Sequence, residues 1–306
     1  MDVSTIVVSY NTRELTKNCL ESVFGKTAGV DFEVIVVDNA SADGSAAMIA
    51  GSFPEVKLVE SSRNLGFAAA NNLAFKRATG KYIFLLNPDT ILLNNAIRLF
   101  YDFMESRKHD RVGAVGAYLR DGDMNAARSY YSFPSLRTLG GAAPINKFRS
   151  ACITALKRGL EWAVGPDSLL LVGEWLARNR NRNGRNGSNG EATQTEGHFR
   201  AKPVDYVIGA DLFMSRAVLD RVGFLDERFF LFMEEADLQY RMYLQGYARL
   251  VIDGPSIVHL TGRSASPESR KRMIRSSGEK FLRKHFPVKY AAHRLACSLS
   301  AKSGNR

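Results

Sequence analysis

The chain lacks the features that mark several common protein classes. Its 306 residues hold three cysteines, Cys19, Cys152 and Cys297, far apart and odd in number. That spacing offers no disulfide framework and no CxxC zinc pattern, so a reducing, cytoplasmic setting is expected. No apolar run reaches about 18 residues, so no transmembrane helix is expected. The opening MDVSTIVVSY is strand-like and has no basic stretch leading into an apolar core, so no signal peptide is expected. The first strand runs into SYNTRE where a dinucleotide site would need GxGxxG, and no Walker A motif occurs. Hydride transfer to NAD and P-loop phosphoryl transfer are both disfavoured. Acidic residues are also in short supply, 31 against 42 Lys and Arg, for a net charge of +11.

The basic excess is concentrated at one end. Residues 264–306 carry eleven Lys and Arg and two Glu. Such a basic helical tail can be a solvated face, or it can rest on nucleic acid or on an anionic membrane surface. No nucleic-acid module or aromatic–basic stripe accompanies it, so nucleic acid is not an expected partner. Peripheral contact with the inner face of a cell membrane remains open beside the solvated face.

What is present is a chain of buried strands ending on polar residues. Tyr82–Leu86 (YIFLL) is an unbroken apolar run closed by Asn87-Pro88-Asp89, as suits a strand covered on both faces. Val3–Tyr10, Phe32–Val37, Val56–Glu60 and Val112–Tyr118 read as further strands. Helical patterns fall between them, with Phe67–Ala78 and Ile91–Met104 the clearest. This βαβ alternation predicts an α/β fold, a mostly parallel sheet with helices on both faces. Ser9 and Asn11, Asp38 and Asn39, Asn64, then Asn87 and Asp89 follow the strands, at the edge where open α/β sheets bind ligands.

Residues 121–203 show no clear period. They include RNRNRNGRNGSNG over 178–190, expected to be a mobile loop, preceded by a short apolar helix over 169–177. Order returns at Val204. Asp205–Met214 reads as one strand with a glycine inside it. Glu234, Glu235 and Asp237 open a helix, where its positive end favours acids. Tyr247–Ile252 and Ile257–Leu260 are the last strands expected, and the latter carries His259.

The blocks VVSYN (7–11), VDNASADGS (37–45), NLGFAAANN (64–72), LLNPDT (85–90), GAD (209–211) and FLDERFFLFMEEADLQYR (224–241) resemble, in this order, the family-2 inverting glycosyltransferases, and among them the rhamnosyltransferase-like branch. The resemblance covers about residues 3–120 and 204–259. It implies a GT-A fold over 1–263, in which 1–120 is the nucleotide-binding half, 121–203 an acceptor-side insert and 204–263 the acceptor and catalytic half. It also implies a dTDP- or UDP-sugar donor, a glycan or lipid-linked glycan acceptor, and Mg²⁺ or Mn²⁺.

By motif, NPD stands where the family has DxD, so Asp89 would ligate the metal, with Asn87 in place of the first carboxylate. His259 would complete the metal site, and Arg263 could pair with a phosphate. Asp38 would hold the base, with Ser9 and Asn11 nearby. Asn64 and Gly66 would lie against the nucleotide, and Asn71 would reach toward the phosphates or the Asp89 turn. Asp211 would face the sugar or acceptor. Glu235 matches the general base, with Glu234 the alternative; at a helix N-terminus either is expected to stay ionised.

Each residue also has a plainer reading. Asp89 could cap a helix, Asp38 could form a turn, and His259 could be a satisfied core histidine. Asp237 could do no more than stabilise the helix start, with Arg241 as its counter-charge. The Phe229, Phe230 and Phe232 cluster reads as core rather than as a sugar platform.

Overall fold

The computed structural model describes residues 1–135, 193–194, 199–260 and 267–294. The segments 169–177 and 178–190, with Arg263, Cys152 and Cys297, lie outside the described residues. The chain divides into two compact units, residues 1–134 with 192–281, and residues 135–191 with 282–306. In the second unit the described residues are almost all helical, and the guanidinium carbon of Arg283 lies 5.2 Å from the ring centroid of Tyr290.

The first unit is built on a nine-stranded sheet. Its strands are β1 (Val3–Ser9), β2 (Phe32–Asp38), β3 (Lys57–Glu60), β4 (Tyr82–Leu86), β6 (Val112–Ala117), β8 (Thr193–Gln194), β9 (Arg200–Pro203), β11 (Asp211–Ser215) and β12 (Ala248–Ile252), in the order β3-β2-β1-β4-β11-β6-β12-β9-β8. The pairs β2–β3, β1–β2, β1–β4 and β6–β12 are parallel, while β11 runs antiparallel to both β4 and β6. The carboxyl ends of the parallel strands thus share one edge, and the amino end of β11 reaches that same edge. Two small ribbons complete the unit, β5 (Thr90–Leu92) with β13 (Ile257–His259) and β7 (Tyr130–Tyr131) with β10 (Tyr206–Val207).

Alternation along the strands sorts the core into two faces. Val3, Val7, Val34, Val36, Phe84, Leu86 and Phe213 point to one cluster, with α1 (Arg13–Lys26), α2 (Ser45–Ser52) and α4 (Ala96–Ser106). Ile6, Val8, Ile35, Val37, Ile83, Leu85, Leu212 and Met214 point to the other, with α3 (Gly66–Phe75), α5 (Arg216–Val222) and α6 (Glu234–Leu244). A last helix, α7, spans Pro267–His285.

Two expectations are corrected. Ile91–Met104 is not one helix: Thr90–Leu92 is strand, paired with Ile257–His259, and α4 starts at Ala96. Apolar spacing over TILL suits either state, and the pairing partner lies about 165 residues away. Asp205–Met214 is not one strand either; it breaks at 208–210 into β10 and β11.

Phe213 is the aromatic centre of the first cluster, fully buried, with ring centroids 5.3 Å from Tyr82, 5.4 Å from Phe100 and 5.8 Å from Phe84. Phe213→Ala should cost about 3–5 kcal/mol of stability, read as a shift of the urea midpoint. A loss below about 1 kcal/mol would show that the strand insertion at β11 is not held by this packing.

Candidate active site

The sheet edge is lined by strand ends whose polar side chains mostly hold one another. Ser9 closes β1 fully buried, its hydroxyl 3.1 Å from Thr12 Oγ1 and 3.0 Å from Thr16 Oγ1. Asn11 adopts φ 53° and ties down the loop after β2: Ala42 N donates to its Oδ1 at 2.8 Å, and its own N–H donates to Ser41 Oγ at 3.0 Å. Asp38 closes β2 and is 3% exposed. Its Oδ2 accepts from Ser41 N at 3.0 Å, while Oδ1 is buried with no partner.

Asn39, beside Asp38, is the organiser of this corner. Its amide donates to Asn64 Oδ1 at 3.0 Å and to Gly66 O at 3.3 Å, and its Oδ1 accepts from Leu65 N at 2.8 Å. Asn64 Oδ1 also accepts from Gly66 N at 2.9 Å. Gly66 sits at φ 79°, and a Cβ there would collide with the carbonyl oxygen of Phe230. Asn71 is buried, and its amide turns back to Phe67 O at 2.8 Å within its own helix. That bond uses one of the two N–H groups of the amide expected to reach toward phosphates or the Asp89 turn.

The NPD corner leaves β4 at Asn87 and enters β5 at Thr90. Thr90 N and Oγ1 both donate to Asn87 O, at 3.2 and 2.7 Å, and Leu260 N donates to Asp89 O at 2.9 Å. Below it, the buried Cys19 thiol donates to Asn87 O at 3.6 Å; burial pushes that thiol up to about 12, so it stays protonated. The β5–β13 ribbon pairs Thr90 with His259. Asp89 Oδ1 and His259 Nε2 are therefore 3.3 Å apart, and His259 Nδ1 is buried without a partner. Among the described residues no three His, Cys, Asp or Glu gather as a metal cluster.

The break before β11 joins this corner to the acidic helix. Asn87 N donates to Ala210 O at 3.0 Å, and a Cβ on neighbouring Gly209 would lie 3.9 Å from Glu235 Cβ. Gln239, one turn beyond Glu235, locks α6 to β10: it accepts from Val207 N at 2.9 Å and donates to Val207 O at 2.7 Å. Asp211 sits opposite Leu86 in register, with Oδ2 accepting from Ala117 N at 2.5 Å and Oδ1 unpartnered. It is fully buried inside the sheet, which differs from the expected position facing a sugar or acceptor. Burial pushes its carboxyl well above the ordinary range.

Glu234 is 3% exposed and Glu235 half-buried, and each has an Oε2 without a partner. Burial raises both carboxyls, and the charge of Glu235 raises Glu234 further. For Glu235 the backbone amides of Glu235, Ala236 and Met233 oppose the rise. The proton the pair retains therefore rests on Glu234, and Glu235 ionises first. Desolvation thus opposes the helix end, which on its own would favour the ionised forms of both. Asp237 is instead paired, 3.0 Å from Arg241 Nε, and Arg241 fastens α6 to Gly223 O at 3.0 Å and Phe224 O at 2.6 Å. Of the phenylalanines, Phe229 is core at 1% exposed, while Phe230 is 48% exposed. Asn39, Gln239 and Gly209 were not singled out from sequence; only the place of Asn39, next to Asp38 at a strand end, signalled a role.

At one edge of an open sheet the chain thus carries a carboxylate–histidine corner and an acidic helix end. Solved nucleotide-diphospho-sugar transferases share this fold. A mannosyltransferase from Pyrobaculum calidifontis, in complex with GDP-Man and Mn²⁺, superposes with a TM-score of 0.52 at 16% identity, over 98% of this chain and 80% of that one. GalNAc-T7 with UDP, GalNAc and Mn²⁺ gives 0.57 at 14% identity, over 92% and 50%. These are GT-A glycosyltransferases, and the GT-A fold is that of this chain. The sequence profile of Glycosyl transferase family 2 matches residues 4–165, and the chain belongs to that family. A relative, N-acetylglucosaminyl-diphospho-decaprenol L-rhamnosyltransferase of Mycobacterium tuberculosis, is 24% identical over 237 residues, 74% of this chain. The chain spans 66% of that relative's length.

The raised carboxyl of Glu234 makes stability depend on pH. Above about pH 4 the unfolded chain has released a proton that the folded chain still holds, so rising pH favours unfolding by up to about 1.4 kcal/mol per pH unit in that window. The loss continues until Glu234 ionises in the fold. Glu234→Gln should flatten the fall in melting temperature between pH 5 and 8, the gap from wild type widening with pH. Parallel curves for the two proteins would contradict the assignment.

Proposed function

We propose that this chain is an inverting glycosyltransferase that moves L-rhamnose from dTDP-rhamnose to a hydroxyl of a cell-surface polysaccharide or of its lipid-linked precursor. The observation that carries the reading is the junction at the sheet edge: Asn87 of the NPD corner bonds Ala210, and the adjoining Gly209 abuts Glu235. That junction supports reading the NPD corner as the side that would hold a metal and diphosphate, and Glu235 as a base beside it. The mycobacterial relative named as an L-rhamnosyltransferase supports the choice of sugar and the lipid-linked acceptor. A related UDP- or dTDP-sugar is the second donor reading.

Asp89 and His259 would hold Mn²⁺ or Mg²⁺, with Asn87 able to add a carbonyl oxygen. Asp89 Oδ1 and His259 Nε2, 3.3 Å apart, with Asn87 in the same corner, fit a hard or borderline cation that would take its remaining ligands from a diphosphate. When bound, the ion supplies positive charge against the leaving diphosphate. Asp38, through its free Oδ1, would accept a hydrogen bond from the base, in a pocket whose walls Asn11, Asn39 and Asn64 keep in shape. Ser9, Asn71 and Asp211 would support this pocket rather than touch the donor.

Glu235 would accept the proton of the acceptor hydroxyl as that oxygen attacks the anomeric carbon. Its raised affinity for a proton suits a base working near neutral pH. Glu234, holding the shared proton, would keep a second charge out of the site. Attack opposite the departing diphosphate in one displacement inverts the anomeric centre.

The basic segment from 264 onward would rest on an anionic membrane near a lipid-linked acceptor, each Lys or Arg close to the surface adding about 1 kcal/mol. No helix among the described residues is long and apolar enough to cross a bilayer. Co-sedimentation with anionic vesicles, lost at high salt, is the expected result; protein left in the supernatant at low salt would remove this part.

The main test pairs binding with turnover. dTDP-rhamnose with Mn²⁺ should raise the melting temperature, since a ligand bound only by the folded state stabilises it. Glu235→Gln should keep that shift and lose turnover by about 10²–10⁴-fold. Full turnover in this variant would exclude Glu235 as base, and stabilisation by UDP-sugars alone would replace the donor.

A further inference from the structure

The turn that delivers Glu235 has an unusual backbone. Phe232 and Met233, the two residues before α6, lie at φ 66° and 72°, a left-handed conformation that neither side chain favours. Such residues persist only where their surroundings over-determine them. Part of the restraint comes from α3 and from α6 itself: Phe67 N donates to Phe230 O at 2.7 Å, and Asp237 N donates to Met233 O at 2.8 Å. The rest comes from α7. Ser277, 4% exposed, donates its hydroxyl to Leu231 O at 2.8 Å. Lys280 Nζ donates to Arg228 O at 2.8 Å. The guanidinium carbon of Arg270 stands 5.7 Å from the ring centroid of Phe232. Three residues of α7, at spacings of seven and three along one helix face, thus grip the chain on the approach to the strained pair, although no residue of α7 was assigned to the site.

We infer that α7 is a strap that sets the catalytic turn, and that Ser277 and Lys280 are positioning residues for Glu235. The inference rests on the reading of Glu235 as base. Both side chains act on main-chain oxygens of residues 228–231, so loosening them lets Phe232 and Met233 relax and turns the start of α6 away from the acceptor. The nucleotide corner at Asp38, Asn39 and Asn64 keeps its own hydrogen bonds and meets this loop through Gly66 and Phe67, whose N–H donates to Phe230 O. The strap therefore acts on turnover more than on donor affinity.

The test uses the full chain with Ser277→Ala, Lys280→Met and the conservative Lys280→Arg. Turnover is followed with dTDP-rhamnose and UDP-glucose in Mn²⁺, together with amide hydrogen exchange across residues 228–236. Ser277→Ala and Lys280→Met should each lower kcat about tenfold or more, as expected when a reacting group is displaced. Donor KM should stay within about twofold, exchange should quicken across the turn, and Lys280→Arg should restore both readouts. Unchanged kcat would overturn the proposal. So would a joint change in kcat, KM and melting temperature, or equal losses in Lys280→Met and Lys280→Arg. If the wild type turns over neither donor, the function proposed above fails by itself; the exchange data then decide the strap, with quickened exchange supporting it and unchanged exchange overturning it.

Discussion

The backbone hydrogen bond from Asn87 N to Ala210 O is the constraint on which the site depends. It exists because β11 enters the sheet antiparallel between β4 and β6. A parallel strand in that place would start at the far edge of the sheet. Running the other way, β11 begins where β4 ends, so the loop before it meets the NPD corner directly. Gly209 then brings Glu235 and the Phe67 ring close to the same loop, 3.9 Å and 3.5 Å from a Cβ built there. One reversed strand brings together residues nearly 150 positions apart.

Buried polar atoms left without partners concentrate on this edge. Asp38, Asp211, Glu234, Glu235 and His259 account for five of the seven such side-chain atoms among the described residues. An unpaired buried oxygen or nitrogen is costly, so natural folds keep few of them. Asp211 differs from the others in lying within the sheet, where its carboxyl braces β6 by accepting from Ala117 N. The crevice stores desolvation cost that a charged, hydrogen-bonding ligand can relieve, which is the arrangement expected of a binding site.

Much of this sheet edge is scaffolding for a few candidate groups. Asn11, Asn39, Asn64 and Gln239 spend their hydrogen bonds on backbone or on one another, and so fix loops at the ends of β1, β2 and β10. Arg241 does the same for the loop after α5 through Gly223 and Phe224. Asp89, His259 and Glu235 are thereby held on short, well-anchored segments.

The amino-acid sequence alone determined the alternation of strands and helices, the two-faced core and the strand-end position of Asp38 and Asp89, because burial periodicity and turn residues are local signals. It also carried the family resemblance through blocks of contiguous motif. It could not show that Thr90–Leu92 is strand, since short apolar runs fit either state until His259 and its neighbours supply the pairing. Nor could it show that burial raises the carboxyls of Glu234 and Glu235, because desolvation depends on what other segments pack around the helix end. Tertiary structure decided those points, together with the reversal of β11 and the grip of α7 on Leu231, since each is a contact between chain segments that no local pattern specifies.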